Sequence, residues 1–235
     1  MADTQSDGAV QAETFPVKWS SGTQRPKLRV PAGATDCHHH IYDSRFPAAP
    51  NMTVEPGDST VADYRALQQR LGTTRSVIVQ PSAYGTDNRC ALDALAAFGP
   101  AARAVAVVDT SVTDATLARL HEAGVRGIRF NLVQVGATTP AMLEPLGQRV
   151  HALGWHIQLN IAAPLIVEIA GLLGGLPCPV VFDHLAHGFA AALPWDGAYR
   201  IAGPGAAAAH RPELPGRPVR RQGADGRHPR GAASR

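Results

Sequence analysis

Six short apolar runs, each followed by a segment of helical spacing, constrain this chain more than any other feature. The first run ends in the histidine stretch at 36–43. The others are Ser76–Gln80, Ala102–Asp109, Val125–Asn131, His156–Asn160 and Pro179–His184. Between them, residues 60–71, 87–98, 113–123, 140–153 and 164–173 carry helical periodicity. In 60–71, Val61, Tyr64, Leu67 and Leu71 share one face, and Ser59 or Thr60 can cap it. Strands alternating with helices predict a parallel sheet with crossover helices. The expected fold is α/β, a TIM-type (β/α)8 barrel that is incomplete, with about six strand-helix units and an irregular C-terminal tail. A doubly wound open sheet is the alternative. It usually carries a Gly-rich phosphate loop after the first strand, and here that place holds histidines.

Those histidines are His38, His39 and His40, between Asp36 and Asp43, with a strand-like run, Leu28 to Val30, a little upstream. In an extended strand alternate side chains share a side. His38 and His40 then point together with Asp36, while Cys37 and His39 face away, and Cys37 is expected to pack. Two converging imidazoles suit metal ligation or proton transfer. A barrel gathers its chemistry at the C-terminal ends of its strands. Those ends offer Ser82, Tyr84, Asp109, Arg126, Arg129, Asn131, Gln158, Asn160, Asp183 and His184 besides the first-strand pair. Arg126 and Arg129 fall on opposite faces of their strand, and Arg129 is the one expected at the site. Ser82 and Gln158 are candidates for substrate contact. An arginine near imidazoles suits an anionic substrate. His121, His151 and His156 are expected to be structural or exposed.

Composition excludes some partners. The net charge is +3, yet residues 188–235 hold eight of the 22 basic side chains and three of the 19 acidic ones. Without them the remainder is slightly acidic, so nucleic-acid binding by the domain is not expected. Three scattered cysteines suit a reducing cytoplasm, and no signal peptide is read at the start. The apolar stretch 161–181 is interrupted by Pro164, Glu168, Pro177 and Pro179, and so reads as a helix and a strand, not a membrane span. Residues 1–27 read as a disordered or loosely draped arm, 28–187 as the barrel domain and 188–235 as the tail.

Several motifs together resemble the amidohydrolase superfamily over residues 28–187, in particular the amidohydrolase-2 group that includes 2-pyrone-4,6-dicarboxylate lactonases. They are Asp36-Cys37-His38-His39-His40-Ile41-Tyr42-Asp43, Val77-Ile78-Val79-Gln80-Pro81-Ser82, Gly85-Thr86-Asp87-Asn88, Val125-Arg126-Gly127-Ile128-Arg129-Phe130-Asn131 and Val181-Phe182-Asp183-His184. The resemblance implies a (β/α)8 barrel and hydrolysis of a carboxylated lactone by water attack on the ring ester, within aromatic-compound catabolism. It implies catalytic roles for His38, His40 and His184, and substrate binding by Ser82 and Arg129. In the lactonase group the reaction is metal-independent; sister branches use a divalent metal. No cofactor is therefore expected, with one Zn²⁺ on His38, His40 and His184 as the alternative. Gly197-Ala198-Tyr199-Arg200 resembles the family's seventh strand and makes Arg200 a further substrate-binding candidate. The sequence departs from the family where a late Gly-Ser-Asp-Trp-like motif would deliver the eighth-strand general base. Ala, Gly, Pro and Arg make up 34 of the last 48 residues, the signature of GC-rich DNA read in a wrong frame. The expectation is a frameshifted or deleted tail, with a genuine disordered tail as the alternative, and impaired hydrolysis. A non-enzymatic truncated barrel whose basic tail binds polyanions is the competing reading.

Overall fold

In the computed structural model, residues 16–190 are described, apart from 19, 51, 53–56 and 135. Six strands alternate with helices: β1 Thr35–His39, β2 Arg75–Val79, β3 Ala102–Ala106, β4 Val125–Asn131, β5 His156–Asn160 and β6 Val180–Phe182. All neighbours are parallel and the spatial order is β1-β2-β3-β4-β5-β6. A flat sheet would hold β1 and β5 roughly 19 Å apart. Yet His38 on β1 lies 3.1 Å from Gln158 on β5. The sheet is therefore curled into an incomplete barrel, with β1 and β6 as its edges among the described residues. The open-sheet alternative is excluded by that contact.

Helix α1 (Val61–Leu71) begins at Thr60, whose side chain accepts from Asp63 N while the Asp63 carboxylate accepts from Thr60 N. Helices α2 (Arg89–Phe98), α3 (Asp114–Ala123) and α4 (Leu143–His151) follow their strands. The outer face of the sheet supplies Ile78, Ala104, Ala106, Ile128, Phe130, Ile157 and Leu159. It packs on Ala94, Leu95, Leu117, Leu120, Leu146 and Val150 of these helices. Aliphatic residues on alternate strand positions meet apolar helix stripes, and that burial drives the layer together. The helix expected over 164–173 is broken into α5 (Ala163–Glu168) and α6 (Ala170–Gly175), because Ile169 leaves helical geometry at φ −100°, ψ 18°. Leu28–Val30 form no strand, and Leu28 is 82% exposed. Residues 20–22 drape across α1, where Arg70 donates to the Ser21 and Gly22 carbonyls. The described residues contain no helix long and apolar enough to cross a membrane.

Inside the curl, Gly127 on β4 faces His156 on β5. A Cβ at position 127 would lie 2.6–2.9 Å from three atoms of that ring. Gly127→Ala is expected to cost about 1–3 kcal/mol by overpacking, measured by urea unfolding; an unchanged midpoint would show that the ring simply swings aside.

Candidate active site

Strict alternation along β1 fails at one point. Thr35 and Asp36 pair with Arg75 and Ser76, but His39 pairs with Ile78, so β1 carries one extra residue there. This bulge corrects two expectations. Asp36 does not join His38 and His40; its carboxylate accepts from Tyr64 Oη on α1 at 2.9 Å. His39 does face away and stacks on Tyr64, with ring centroids 3.5 Å apart. Cys37 is exposed, not packed. The other flanking acid, Asp43, is held by Arg45 at 2.7 Å. Neither aspartate of the histidine stretch therefore reaches the site.

The centre of the curl is a charged knot. Arg129 and Asp183 are almost wholly buried, and Arg129 Nε donates to Asp183 Oδ2 at 3.2 Å. Gln158 Nε2 donates to Asp183 Oδ1 at 2.6 Å and reaches His38 Nδ1 at 3.1 Å. Burial alone pushes the Asp183 carboxyl up, but the Arg129 cation and the Gln158 N–H hold it below the usual carboxylate range. Asp183 and His184 do not lie on the strand. β6 stops at Phe182, and His184, Leu185, Ala186 and His187 all take left-handed backbone, with φ between 51° and 54°. Such geometry costs about 1–2 kcal/mol per non-glycine residue. It brings the His184 ring to 5.3 Å from that of His38, which is itself 5.0 Å from His40.

A second network runs along the rim. His187 Nε2 meets Asn160 Oδ1 at 2.8 Å, Asn160 Nδ2 donates to Asn131 Oδ1 at 3.0 Å, and Asn131 Nδ2 donates to Ser82 Oγ at 2.7 Å. Ser82 and Asn131 also line an open cleft of about 310 Å³, together with His40, Tyr42, Met52, Pro81, Ala83, Arg129 and Gln134. His38, Arg129, Gln158 and His184 thus gather in the curl, and His40 and Ser82 border the cleft beside Arg129. Tyr84 is buried, with its hydroxyl on the Asp43 backbone. Asp109 faces a separate cleft outside the curl and accepts from Ser111. Arg126 donates to the His121 carbonyl, and His121 accepts from Trp155 at 2.9 Å. Tyr42, Gln134 and His187 were not singled out in the sequence. His187 sits three residues beyond His184, and only the left-handed turn carries it back to the rim. Arg200 and the tail lie outside the described residues.

The donor atoms of His38, Asp183 and His184 fall within 4.8 Å of one another. His40 is not in that trio; its Nδ1 lies 2.8 Å from the Val79 carbonyl. Burial first, with Arg129 and His38 adding to it, pushes the His40 imidazole down to about 4. Burial likewise pushes His39 down to about 4, and neither of its ring nitrogens has a hydrogen-bond partner among the described residues. In the unfolded chain both rings titrate near 6.5. Between pH 6.5 and 4 the unfolded state therefore binds more protons, and stability falls as pH drops through that window. The expected loss is of order 3 kcal/mol per ring, with a plateau above pH 6.5. Urea midpoints across pH 4–8 test this; a midpoint flat down to pH 4 would contradict it.

Residues 35–220 match the sequence model of a family described as amidohydrolase. The chain is 39% identical over 171 residues to the 2-pyrone-4,6-dicarboxylate hydrolase of Comamonas testosteroni, covering 71% of this chain and 56% of the relative. It is 31% identical over 160 residues to the 4-sulfomuconolactone hydrolase of Rhizobium radiobacter, covering 66% of this chain and 54% of the relative. The chain thus spans a little over half the length of these curated relatives. An apo crystal structure from Agrobacterium tumefaciens superposes with a TM-score of 0.67 at 30% identity, over 76% of this chain and 63% of the other. A probable 2-pyrone-4,6-dicarboxylic acid hydrolase from Acinetobacter baumannii, crystallised with citric acid bound, gives 0.60 at 26% identity, over 66% and 59%. The match takes in every strand of the curl and the whole imidazole cluster, and by it the chain belongs to the amidohydrolase family.

Proposed function

We propose that this chain carries the substrate-binding part of a site that hydrolyses a carboxylated lactone of the 2-pyrone-4,6-dicarboxylate type, by water attack on the ring ester. The observation that carries the reading is the open cleft with the buried Arg129 guanidinium in its wall, flanked by Ser82, Asn131 and His40. A guanidinium and a hydroxyl suit a substrate carboxylate, and imidazoles beside them suit the ester carbonyl. The names of two relatives, a pyrone-dicarboxylate hydrolase and a sulfomuconolactone hydrolase, support a small anionic lactone.

We further propose that the site works without a metal. Two imidazoles and a carboxylate are an acceptable donor set by type. However, both Asp183 oxygens are committed, one to the Arg129 cation and one to Gln158. A divalent ion on this trio would sit beside a fixed positive charge, so the residues fit one poorly. The general base for water is expected from the family's late aspartate, which the sequence does not match, and turnover is expected to be low.

The test is hydrolysis of 2-pyrone-4,6-dicarboxylate by the purified chain, with its binding measured in parallel. His184→Ala is expected to lower the rate about 100-fold or more, the scale for removing one oxyanion donor, and Arg129→Met is expected to abolish binding. A chelator is expected to leave the wild-type rate unchanged. A wild-type chain that neither binds nor hydrolyses the lactone would defeat the reading, and stoichiometric zinc with chelator-sensitive activity would defeat the metal-free part.

A further inference from the structure

We infer that His38 and His40 are locked in opposite tautomers, one presenting a hydrogen-bond donor and the other an acceptor, and that Gln158 is the positioning residue that enforces this. A carboxylate only accepts, so the Gln158 nitrogen 2.6 Å from Asp183 Oδ1 is its NH2 group. The same nitrogen lies 3.1 Å from His38 Nδ1. An amide NH2 only donates, so His38 Nδ1 carries the lone pair and the proton sits on Nε2. That Nε2 is buried and meets no partner among the described residues, so it is a donor with no protein acceptor there.

His40 is the reverse. Its Nδ1 lies 2.8 Å from the Val79 carbonyl, which only accepts, so Nδ1 carries the proton. The lone pair is left on Nε2, in a ring that lines the cleft.

The competing arrangement is a His38–Asp183 dyad, with Nδ1–H donated across 3.4 Å. It would set that N–H against the Gln158 NH2 at the shorter distance of 3.1 Å. It would also place a second donor on an oxygen already bonded at 2.6 Å. Arg129, on the other carboxylate oxygen at 3.2 Å, holds Asp183 in the orientation that Gln158 reads. The division of labour rests on the lactonase reading: His38 Nε2–H suits the ester carbonyl oxygen, and His40 Nε2 suits an O–H of the attacking water.

Solid-state 15N spectra of the histidine-labelled chain test this, whether or not it stays in solution. His38→Gln and His40→Gln serve to assign the signals. At pH 7.5 His38 is expected to show a bare Nδ1 and a protonated Nε2, and His40 the opposite. In Gln158→Met the NH2 is gone, and His38 is expected to switch to the Nδ1-protonated form by donating to Asp183, with His40 unchanged. A protonated His38 Nδ1 in the wild type, or a shared tautomer, would overturn the inference. A His38 unaffected by Gln158→Met would overturn the role of Gln158. Absence of lactone hydrolysis would count against the proposed reaction and would leave these tautomers standing.

Discussion

Asp183→Ala is expected to cost about 3–5 kcal/mol of folding stability, the scale for removing one partner of a buried ion pair. The side chains of Arg129 and Asp183 are 5% and 2% exposed, so the guanidinium left behind loses its buried counter-charge and meets water only at the cleft wall. Gln158 also loses the acceptor at 2.6 Å that orients its amide. Because small domains are stable by only about 5–15 kcal/mol, this single change takes a large share of the total. The Asp183→Leu, Arg129→Met double variant removes both charges and is expected to be more stable than Asp183→Ala alone. Urea unfolding of the single and double variants measures this. A single-variant loss below about 1 kcal/mol would mean that water reaches Arg129 and the pair is not buried in solution.

Self-association of the purified 235-residue chain is the second large effect expected. Among the described residues β1 and β6 each have one neighbour, whereas a closed barrel has no edge. An unpaired edge offers a row of backbone donors and acceptors to any other chain. Near the β6 edge, Val181 is 38% exposed and Leu185 is 56% exposed, so apolar surface accompanies the open backbone. Sedimentation velocity is expected to show most of the material as oligomers or aggregate. Val181→Lys places a charge on that edge and is expected to shift the distribution toward monomer. A wild-type chain that sediments as one monomer and unfolds cooperatively would refute the expectation.

Local pattern made much of the architecture readable. β4 and β5 run over the expected residues, and α3 lies within its expected span with Thr113 as cap. Side-chain period and capping chemistry act over three or four residues, so one sequence displays them. Helix continuity past Ile169 was not readable. Nor was the bulge that turns Asp36 toward Tyr64, because each depends on what packs from another part of the chain.

The same division runs through the site. The motifs placed His38, His40, Arg129, Gln158, Asp183 and His184 near strand ends, but they did not show what Asp183 binds and left His187 unnoticed. Curling the sheet is what brings His38 against Gln158, four strands away, and commits Asp183 to Arg129. The left-handed turn after Phe182 is what carries His187 to Asn160. By itself the sequence determined the order of strands and helices, the resemblance to the amidohydrolases and the residue types at the rim. Only the tertiary structure decided which rim residues touch and which ring nitrogen each hydrogen bond claims. Pairing across a curled sheet joins residues far apart in the chain, and no local periodicity records it.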